Sequence, residues 1–421
     1  MKSTRSVAVA LTTAAILGAS LTACSGGGAE IDPKTVTVLS NVSKNTASGR
    51  AFFALFDQFK QDTGISVEVI EQGDDTNRVY ETTLAGGREA QLVLTNRYQN
   101  LDWLQNGSVV DAKPYADEWG ITDRLKPDAV DAWSDADGGL MGIPLNGYTW
   151  PVMYNTELLQ QAGFDAPPTT TDELLQLASA LRAKGITPWA IGGSDWSGEK
   201  LFAQIAQTHV SADEAAQLFT KGGWCDSDAA KQGIDDFVAL RDGGVFVDKA
   251  EGYTVDLAQT DFYTGKAAIY SDASWGFGNV PEEIKPNVVI GGVPVPADSD
   301  FTGPSYYSEF GSGLWISPNG EKNLDAVGKL VTFLLSDEAQ ERLVAEASLV
   351  SPLTTDFSAA ATDPLLQQAL GLSDTGQRAV LPDDYVADTA TTTWAKATAG
   401  AYAESASTSD ICAALDAALA E

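Results

Sequence analysis

Residues 142–155 read GIPLNGYTWPVMYN, and the rest of the chain is organised around this stretch. Ile143 and Leu145, then Val152 and Tyr154, alternate on one side, which is the period of a half-buried strand. One α/β region precedes the stretch and another follows it. A strand that leaves one such unit and enters the next is where two lobes would hinge, and small ligands bind in clefts of this kind. We predict a crossover between two lobes, with a strand pair inside one sheet as the alternative.

Length and charge limit the class of protein. A chain of 421 residues is longer than one compact core at roughly 150 residues per domain, so we expect two or three structural units. Asp and Glu number 58 against 26 Lys and Arg, which gives a formal net charge of -32. Nucleic acids and anionic membrane surfaces both attract basic patches, so this balance argues against either as a partner.

The N-terminus has the pattern of a targeting segment. A short basic region precedes an apolar run over residues 7–21, which is too short to span a bilayer. The run leads into Leu-Thr-Ala-Cys, which resembles a bacterial lipobox. We predict that residues 1–23 are a removed signal peptide, that Cys24 is lipidated, and that residues 24–35 are a flexible tether. A plain signal peptide followed by a chance cysteine is the alternative.

The remaining cysteines and the histidine bear on disulfide and metal chemistry. With Cys24 lipidated, Cys225 and Cys412 are an even pair in an oxidising compartment, which permits a disulfide. Two buried free thiols are the alternative. The chain has one histidine, His209, and no cluster of Cys and His, so the sequence excludes most familiar metal sites. We expect neither a metal nor a cofactor.

The first half of the chain opens with a strand, a helix and a strand. The run TVTVL at 35–39 and the alternating residues 65–71 flank a helix over 50–63, and this order predicts a parallel strand pair with a crossover helix. The next strand, at 91–95, ends in Asn96 and Arg97. Ligands of open parallel sheets gather at the carboxyl ends of the strands, so this polar pair is a candidate for ligand contact.

The second half presents aromatic residues at irregular positions. A loop over residues 192–198 carries Asp195 and Trp196, and a small-residue turn over 271–276 presents Trp275. Residues 305–309 lead through Gly311, Ser312 and Gly313 to a strand at 314–316, and this region predicts a return crossing between the lobes.

Five segments together resemble the bacterial extracellular solute-binding proteins of carbohydrate importers, the group that includes maltose-binding proteins. In chain order they are FFALFDQFKQDTGISVEVIE, DADGGLMGIP, PVMYNTELLQQAGFDAPPTTTDELLQLASALRAKGITPWA, FYTGKAAIYSDASW and LVTFLLSDEAQERL. The resemblance implies an α/β, two-lobed periplasmic-binding-protein-like fold. Each lobe would be a mostly parallel sheet flanked by helices, with the ligand cleft between the lobes. The implied boundaries are 36–145 with 300–345 for lobe 1, and 146–299 with 346–421 for lobe 2.

The resemblance also implies a set of ligand-contacting residues at the strand ends that face the cleft. Carried over position by position, with Glu309 added from the return crossing, they are Ser40, Asn41, Asn96, Arg97, Tyr148, Trp150, Asp195, Trp196, Trp275, Glu309 and Trp394. Asn96 stands where maltose-binding relatives carry an Asp, so the position keeps a hydrogen-bond acceptor and loses a charge.

The residue types fit a sugar independently of the family. Sugars present C–H faces that pack on aromatic rings and hydroxyls that need directional donors and acceptors. The alternative for each tryptophan is core packing, which we favour for Trp103, Trp189 and Trp315. For Asp195 the alternative is a carboxylate that shapes a turn.

We therefore expect a lipid-anchored receptor on the extracellular face of the cell membrane. It would be a monomer, bind a carbohydrate and pass it to the permease subunits of an ABC transporter. It would touch the membrane through its anchor alone and bind no nucleic acid. A secreted glycoside hydrolase using Asp272 with Glu309 is one alternative, because paired carboxylates do that chemistry. A protein of the same fold that binds another solute is a second.

Overall fold

The computed structural model describes residues 31–98 and 100–420, without the side chains of Asp74 and Asp388. The predicted signal peptide, Cys24 and most of the predicted tether lie outside these residues. None of the helices within the described ranges is long and apolar enough to cross a membrane.

The strands of the described chain form two separate sheets. Their bounds are β1 (Thr35–Ser40), β2 (Ser66–Glu71), β3 (Leu92–Asn96), β4 (Ile143–Trp150), β5 (Val152–Asn155), β6 (Thr187–Ala190), β7 (Ala267–Ser271), β8 (Val288–Gly291), β9 (Ser305–Ile316) and β10 (Gln377–Arg378). In the first sheet β1 lies between β2 and β3 and is parallel to both, which confirms the predicted parallel pair. The long strand β9 runs antiparallel to β3 and β4, and β10 pairs with its first residues. The second sheet has the order β6-β7-β5-β8.

The second sheet differs from the expectation of a mostly parallel arrangement. β6 and β7 are parallel, whereas β5 is antiparallel to both β7 and β8. β5 follows β4 through Pro151 with no helix between them, so it enters the sheet directly. Because β5 enters from a strand of the other sheet, no strand–helix–strand crossover within its own sheet fixes its direction as parallel to its neighbours.

Helices cover both sheets. Their bounds are α1 (Ala47–Thr63), α2 (Thr76–Ala85), α3 (Lys113–Glu118), α4 (Pro127–Trp133), α5 (Thr156–Gln161), α6 (Thr171–Arg182), α7 (Trp196–Ala206), α8 (Ala212–Lys221), α9 (Asp228–Asp242), α10 (Val255–Tyr263), α11 (Pro318–Glu321), α12 (Leu324–Leu334), α13 (Asp337–Ala347), α14 (Pro364–Thr375), α15 (Thr391–Ala401) and α16 (Thr408–Leu419). Helix α1 shows how the sequence sets such an element. Thr46 caps its first turn, four large apolar residues make one buried face, and Gly64 ends it in the left-handed conformation.

Each sheet has its own hydrophobic core. The first core packs β1, β3 and β9 against α1, α12 and α13, with the rings of Trp103 and Trp133 on either side of Trp315. The second core packs the other sheet against α6, α7 and α9 and includes Trp189 and Trp394. The predicted core positions of Trp103, Trp189 and Trp315 are confirmed, because each is at most 1% exposed. Two cores on two sheets make the fold two-lobed; the exact lobe boundaries stay a prediction.

In the described chain, β4 and β9 form the connection between the two cores and pair with each other. The segment after α13 is hydrogen-bonded to β4 at Gly147. The Gly147 N–H donates to the Val350 carbonyl at 2.7 Å, and the Val350 N–H donates back at 2.9 Å. A Cβ at position 147 would lie 2.4 Å from the Glu309 carbonyl oxygen, so the residue has to be glycine for the strands to approach this closely. β9 is also one continuous strand over Ser305–Ile316, longer than the strand predicted at 314–316.

A disulfide fastens the C-terminal helix to the second lobe. It joins Cys225, in the loop after α8, to Cys412 on α16, across 187 residues of sequence. Beside it the Asp416 carboxylate accepts the backbone N–H groups of Gly223, Trp224 and Cys225. The bond and these three hydrogen bonds hold α16 against the loop before α9.

Candidate functional site

The strand ends of the first sheet bring three predicted residues to one edge. β1 ends at Ser40, whose hydroxyl accepts the Val42 N–H at 3.0 Å and so shapes the turn after the strand. The following residue, Asn41, donates its backbone N–H to the carbonyl of Leu94 on β3. β3 ends at Asn96, so the parallel order of the sheet places Asn41 and Asn96 side by side.

Four rings form an aromatic platform, defined here as Tyr148, Trp150, Trp196 and Trp275. Tyr148 and Trp150 lie on β4, and their rings meet Trp275 edge to face at 4.5 Å and 6.0 Å between centroids. Trp196, the first residue of α7, meets Trp150 at 5.2 Å and is 42% exposed. Sequence analysis placed Trp196 in a loop. It lies instead in the first turn of a helix that Asp195 caps. The platform joins residues of both lobes.

Two adjoining cavities lie beside the platform. The Lys200 cavity has a volume of about 210 Å³, and its lining includes Asn77, Tyr98, Trp196, Glu199, Lys200 and Asp383. The Trp275 cavity has a volume of about 260 Å³, and its lining includes Ser43, Thr46, Asn146, Tyr148, Trp275 and Ser312. Asn41 and Asn96 line both cavities. A ligand that filled both would therefore touch the first lobe at its strand ends and the second lobe at α7.

Buried polar atoms without a hydrogen-bond partner mark the same place. Among them are Oδ1 of Asn41, Oδ1 of Asn146 and Nε1 of Trp150. A buried polar atom left unpaired costs about 1–3 kcal/mol, so a cluster of them indicates a site for an outside partner. Two acceptors and one donor beside exposed ring faces match a polyhydroxylated ligand, whose hydroxyls both donate and accept.

Several buried ionisable residues surround Arg97. Its guanidinium contacts the Asp384 carboxylate and lies 3.9 Å from Oε2 of Glu309. The Tyr148 hydroxyl donates a hydrogen bond to Oε1 of the same Glu309 carboxylate. Burial, reinforced by the charge of Asp384, raises the pKa of Glu309 to about 8, and Arg97 opposes the rise. Burial also raises the pKa of Asp384, again against the effect of Arg97. Glu309 can therefore hold a proton at neutral pH.

A second charged group surrounds Lys200 on α7. Its ammonium contacts the Asp383 carboxylate and lies 2.8 Å from Oε1 of Glu199. Burial lowers the pKa of this lysine, but the two carboxylates outweigh it and the net shift is upward. Burial raises the pKa of Glu199, with Lys200 opposing. Lys200 is therefore charged and fully engaged by protein carboxylates.

The sequence profile of the bacterial extracellular solute-binding proteins matches residues 43–341, more than half of the chain. The protein belongs to this family. Its structure is similar to that of a probable secreted solute-binding lipoprotein from Streptomyces coelicolor, with a TM-score of 0.82 and 36% identity over 93% of this chain and 100% of the other. The members of this family are binding proteins.

Two curated relatives differ in the ligand their names give. A probable sugar-binding periplasmic protein of Rhizobium meliloti is 27% identical over 217 residues, 49% of each chain. An sn-glycerol-3-phosphate-binding periplasmic protein of the same organism is 24% identical over 257 residues, 56% of each chain. This solute-binding protein thus spans about half the length of the curated relatives it matches.

Two predicted contact residues of this solute-binding protein are occupied within the protein itself. The Asp195 carboxylate accepts the Ser197 N–H at 3.0 Å and the Val255 N–H at 2.6 Å, which is the turn-shaping role considered as its alternative. Trp394 borders the Lys200 cavity but has no exposed surface, and its indole N–H donates to Glu199 at 3.1 Å. In this conformation Trp394 packs in the core and has no face open for stacking.

The carboxylate pair of the hydrolase alternative is not assembled at the cavities. Asp272 is buried, and its carboxylate accepts the N–H of Ala273 at 2.8 Å. Burial raises its pKa to about 7. Neither Asp272 nor Glu309 is among the described residues that line the two cavities.

Sequence analysis missed Lys200, Glu199, Asp383 and Asp384. Glu199 and Lys200 follow the predicted loop by one and two residues, and their position one turn into α7 would have placed them near Trp196. Asp383 and Asp384 lie in a short turn far along the chain. In a protein with 58 acidic residues, no local pattern distinguishes that pair from a solvated one.

Proposed function

We propose that this protein is the substrate-binding component of an ABC importer and that it captures a sugar or oligosaccharide by closure of its two lobes. The observation that carries the proposal is the coincidence of the aromatic platform with unpaired buried polar atoms at Asn41, Asn146 and Trp150. Ring faces and hydroxyl-directed donors and acceptors are the two things that a sugar requires. The printed name of the Rhizobium meliloti sugar-binding relative points to the same ligand class.

We expect the lobes to close because the proposed ligand contacts come from both of them. A ligand shifts a conformational equilibrium only through contacts that it makes better in one state than in the other. Asn41 and Asn96 belong to the first lobe and Trp196 to the second, so a ligand touching all three gains its full set only when the lobes meet. The closed, loaded form would then deliver the sugar to the permease.

Titration of the purified protein with neutral mono- and oligosaccharides tests the proposal. We expect a saturable change in tryptophan fluorescence and heat of binding, with the sugar recovered unchanged by chromatography. Release of a hydrolysis product would support the glycoside hydrolase instead. Saturable binding of a non-sugar solute, with no response to any sugar, would support the other alternative.

We also propose that the protein is held at the extracellular face of the membrane by a lipid on Cys24, after removal of residues 1–23. The support is the Leu-Thr-Ala-Cys sequence behind a short apolar run. Replacing Cys24→Ser should move the protein from the membrane fraction to the soluble fraction. A Cys24→Ser protein that stayed in the membrane fraction would contradict the anchor.

A further inference from the structure

The turn Pro382–Asp384 supplies one carboxylate to each of the two buried cations described above. Asp383 contacts the ammonium of Lys200 on α7, in the second lobe. Asp384 contacts the guanidinium of Arg97, which follows β3 in the first lobe. Two neighbouring residues thus neutralise the cations of both lobes at once.

Hydrogen bonds hold the segment that leads into this turn beside α7. The Val380 N–H donates to Oε1 of Gln207 at 2.8 Å, and Nε2 of Gln207 donates back to the Val380 carbonyl at 2.9 Å. Gln207 directly follows α7, so the turn is fixed to the helix that carries Lys200. The side chains of Lys200 and Asp383 are each 8% exposed, which leaves little room for the pair to separate.

The two buried cations near the cavities are both paired with protein carboxylates. Glu199 adds a second carboxylate to Lys200, and Glu309 adds one beside Arg97. Among the described residues, Lys200 is the one Lys or Arg that lines the Lys200 cavity, and none lines the Trp275 cavity. The start of α7, which would otherwise favour an anion, is already capped by the Asp195 carboxylate. Proteins that recognise phosphate present Arg or Lys to it.

We infer that Asp383 and Asp384 set the selectivity of the cleft: by neutralising Lys200, which lines a cavity, and Arg97, which directly follows the cavity residue Asn96, they restrict the site to uncharged carbohydrates and exclude phosphorylated and uronic-acid ligands. This inference rests on the proposed function and goes beyond it, since the names of the curated relatives include both a sugar and a glycerol phosphate. A phosphate placed in the Lys200 cavity would meet the carboxylates of Glu199 and Asp383, which already engage Lys200.

Calorimetry on the wild-type protein is the first arm of the test. The uncharged probes are glucose, galactose, maltose and raffinose; the anionic probes are sn-glycerol 3-phosphate, glucose 6-phosphate and glucuronate. We expect one or more uncharged sugars to bind and every anionic probe to bind at least ~10-fold more weakly, because like charges brought together cost several kcal/mol. An anionic probe that bound as tightly as the best uncharged sugar would overturn the inference and leave sugar binding intact. Binding of anionic probes alone, or of no probe, would overturn the sugar proposal and this inference with it.

The second arm uses the double variant Asp383→Asn with Asp384→Asn, which keeps side-chain volume and removes one of the two carboxylates at each cation. We expect its affinity for sn-glycerol 3-phosphate to rise at least ~10-fold over the wild type, so that the ratio of anionic to uncharged affinities shifts. Circular dichroism checks folding, and the single variant Asp384→Asn replaces the double variant if that one is unfolded. The matched control is Asp363→Asn, which loses an ion pair with Lys285 at 2.8 Å away from the cavities and should leave the ratio unchanged. An unchanged ratio in the folded Asp variants would show that these carboxylates do not set selectivity.

Discussion

Trp275 is the ring of the platform whose contacts are divided between protein and cavity. It is half-buried, packs edge to face on Tyr148 at 4.5 Å and lines the Trp275 cavity. Trp150, at 5% exposure, has much less open surface. Trp275 is therefore the ring we expect to carry most of the apolar contact with a sugar.

Replacing Trp275→Ala should weaken sugar binding far more than it lowers stability. Loss of a buried stacking ring at a binding hot spot costs roughly 2–4 kcal/mol, which corresponds to about 30-fold or more in affinity. Calorimetry measures the affinity, and thermal unfolding without sugar measures the stability. The control is Trp119→Ala, a half-buried tryptophan that packs on Gly328 in the first lobe, away from the platform. Equal affinities in the wild type and the Trp275 variant would remove Trp275 from the site.

Glu309 gives a pH dependence whose sign follows from its burial. Its pKa rises from 4.5 to about 8 in the folded protein, so folding favours the protonated carboxyl. A group with a raised folded pKa contributes stability that is fully present below pH 4.5 and is lost as the pH rises through about 8. Glu309→Gln keeps a neutral side chain at every pH and removes this dependence.

Urea unfolding of the wild type and of Glu309→Gln should therefore diverge with pH. We expect the free energy of unfolding of the wild type to fall relative to the variant between pH 4.5 and about 8. Asp272, whose pKa burial raises to about 7, is present in both proteins, so its effect cancels in the difference. Glu68→Gln, at an exposed position on β2, is the control and should run parallel to the wild type. Parallel curves for Glu309→Gln would show that Glu309 is ionised throughout this range.

At the scale of elements, the connection between the cores depends on Gly147. A Cβ there would meet the Glu309 carbonyl at 2.4 Å and the Phe310 ring at 2.6 Å, and neither is the free end of a flexible chain. β4 and β9 would have to move apart at the point where Gly147 also bonds to Val350. The close approach of β4 and β9 thus depends on the absence of a Cβ at position 147.

Gly147→Ala should destabilise the protein by about 1–3 kcal/mol, the usual cost of forcing an extra carbon into a packed site. Chemical unfolding measures this free energy. Gly371→Ala is the matched control, because a Cβ at that position in α14 meets nothing within 4 Å. Alanine is the better helix former there, so the control should be neutral or slightly stabilising. A Gly147 variant as stable as the control would mean that the strands yield without cost.

The elements that the sequence predicted well have a regular spacing of apolar residues or a residue such as glycine that ends the element. Helix α1 is an example, with its apolar face and terminal Gly64. The extent of a strand was predicted less well where a glycine allows a neighbouring side chain to pack closely against the strand. Only the end of β9, at 314–316, was expected as a strand, yet a Cβ at Gly313 would lie 2.4 Å from the Trp133 ring, so the glycine admits that ring within one continuous strand.

The candidate site was predictable as far as strand ends and aromatic residues reveal it. Asn41, Asn96 and the platform rings follow from their places in the chain. The charged groups do not, because Arg97 and Asp384 are 287 residues apart and meet only in the folded protein. Their pairing depends on tertiary geometry that a single sequence does not encode locally.

At the scale of the whole molecule, the ion pair between Arg97 and Asp384 crosses from one lobe to the other. Arg97 directly follows β3 of the first sheet. The turn that carries Asp384 is held to the second lobe, through the hydrogen bond of Val380 with Gln207 and the ion pair of Asp383 with Lys200. The proposed opening of the cleft would separate this pair and expose both charges to water. We therefore expect the pair to favour the proposed closed form, in the same direction as the proposed sugar.

Small-angle X-ray scattering should resolve both effects. We expect a smaller radius of gyration with a bound sugar than without it, because the ligand gains contacts from both lobes only on closure. Arg97→Gln removes the interlobe pair and should give a larger radius without sugar, together with weaker binding, because more of the binding energy is spent on closing the protein. Arg342→Gln is the control, since its partners are Glu346 on the same helix, α13, and Gln58 on α1, and both helices pack in the first core. If the radius were equal with and without sugar while calorimetry showed saturation, binding would proceed without closure and the hinge assigned to β4 and β9 would be wrong.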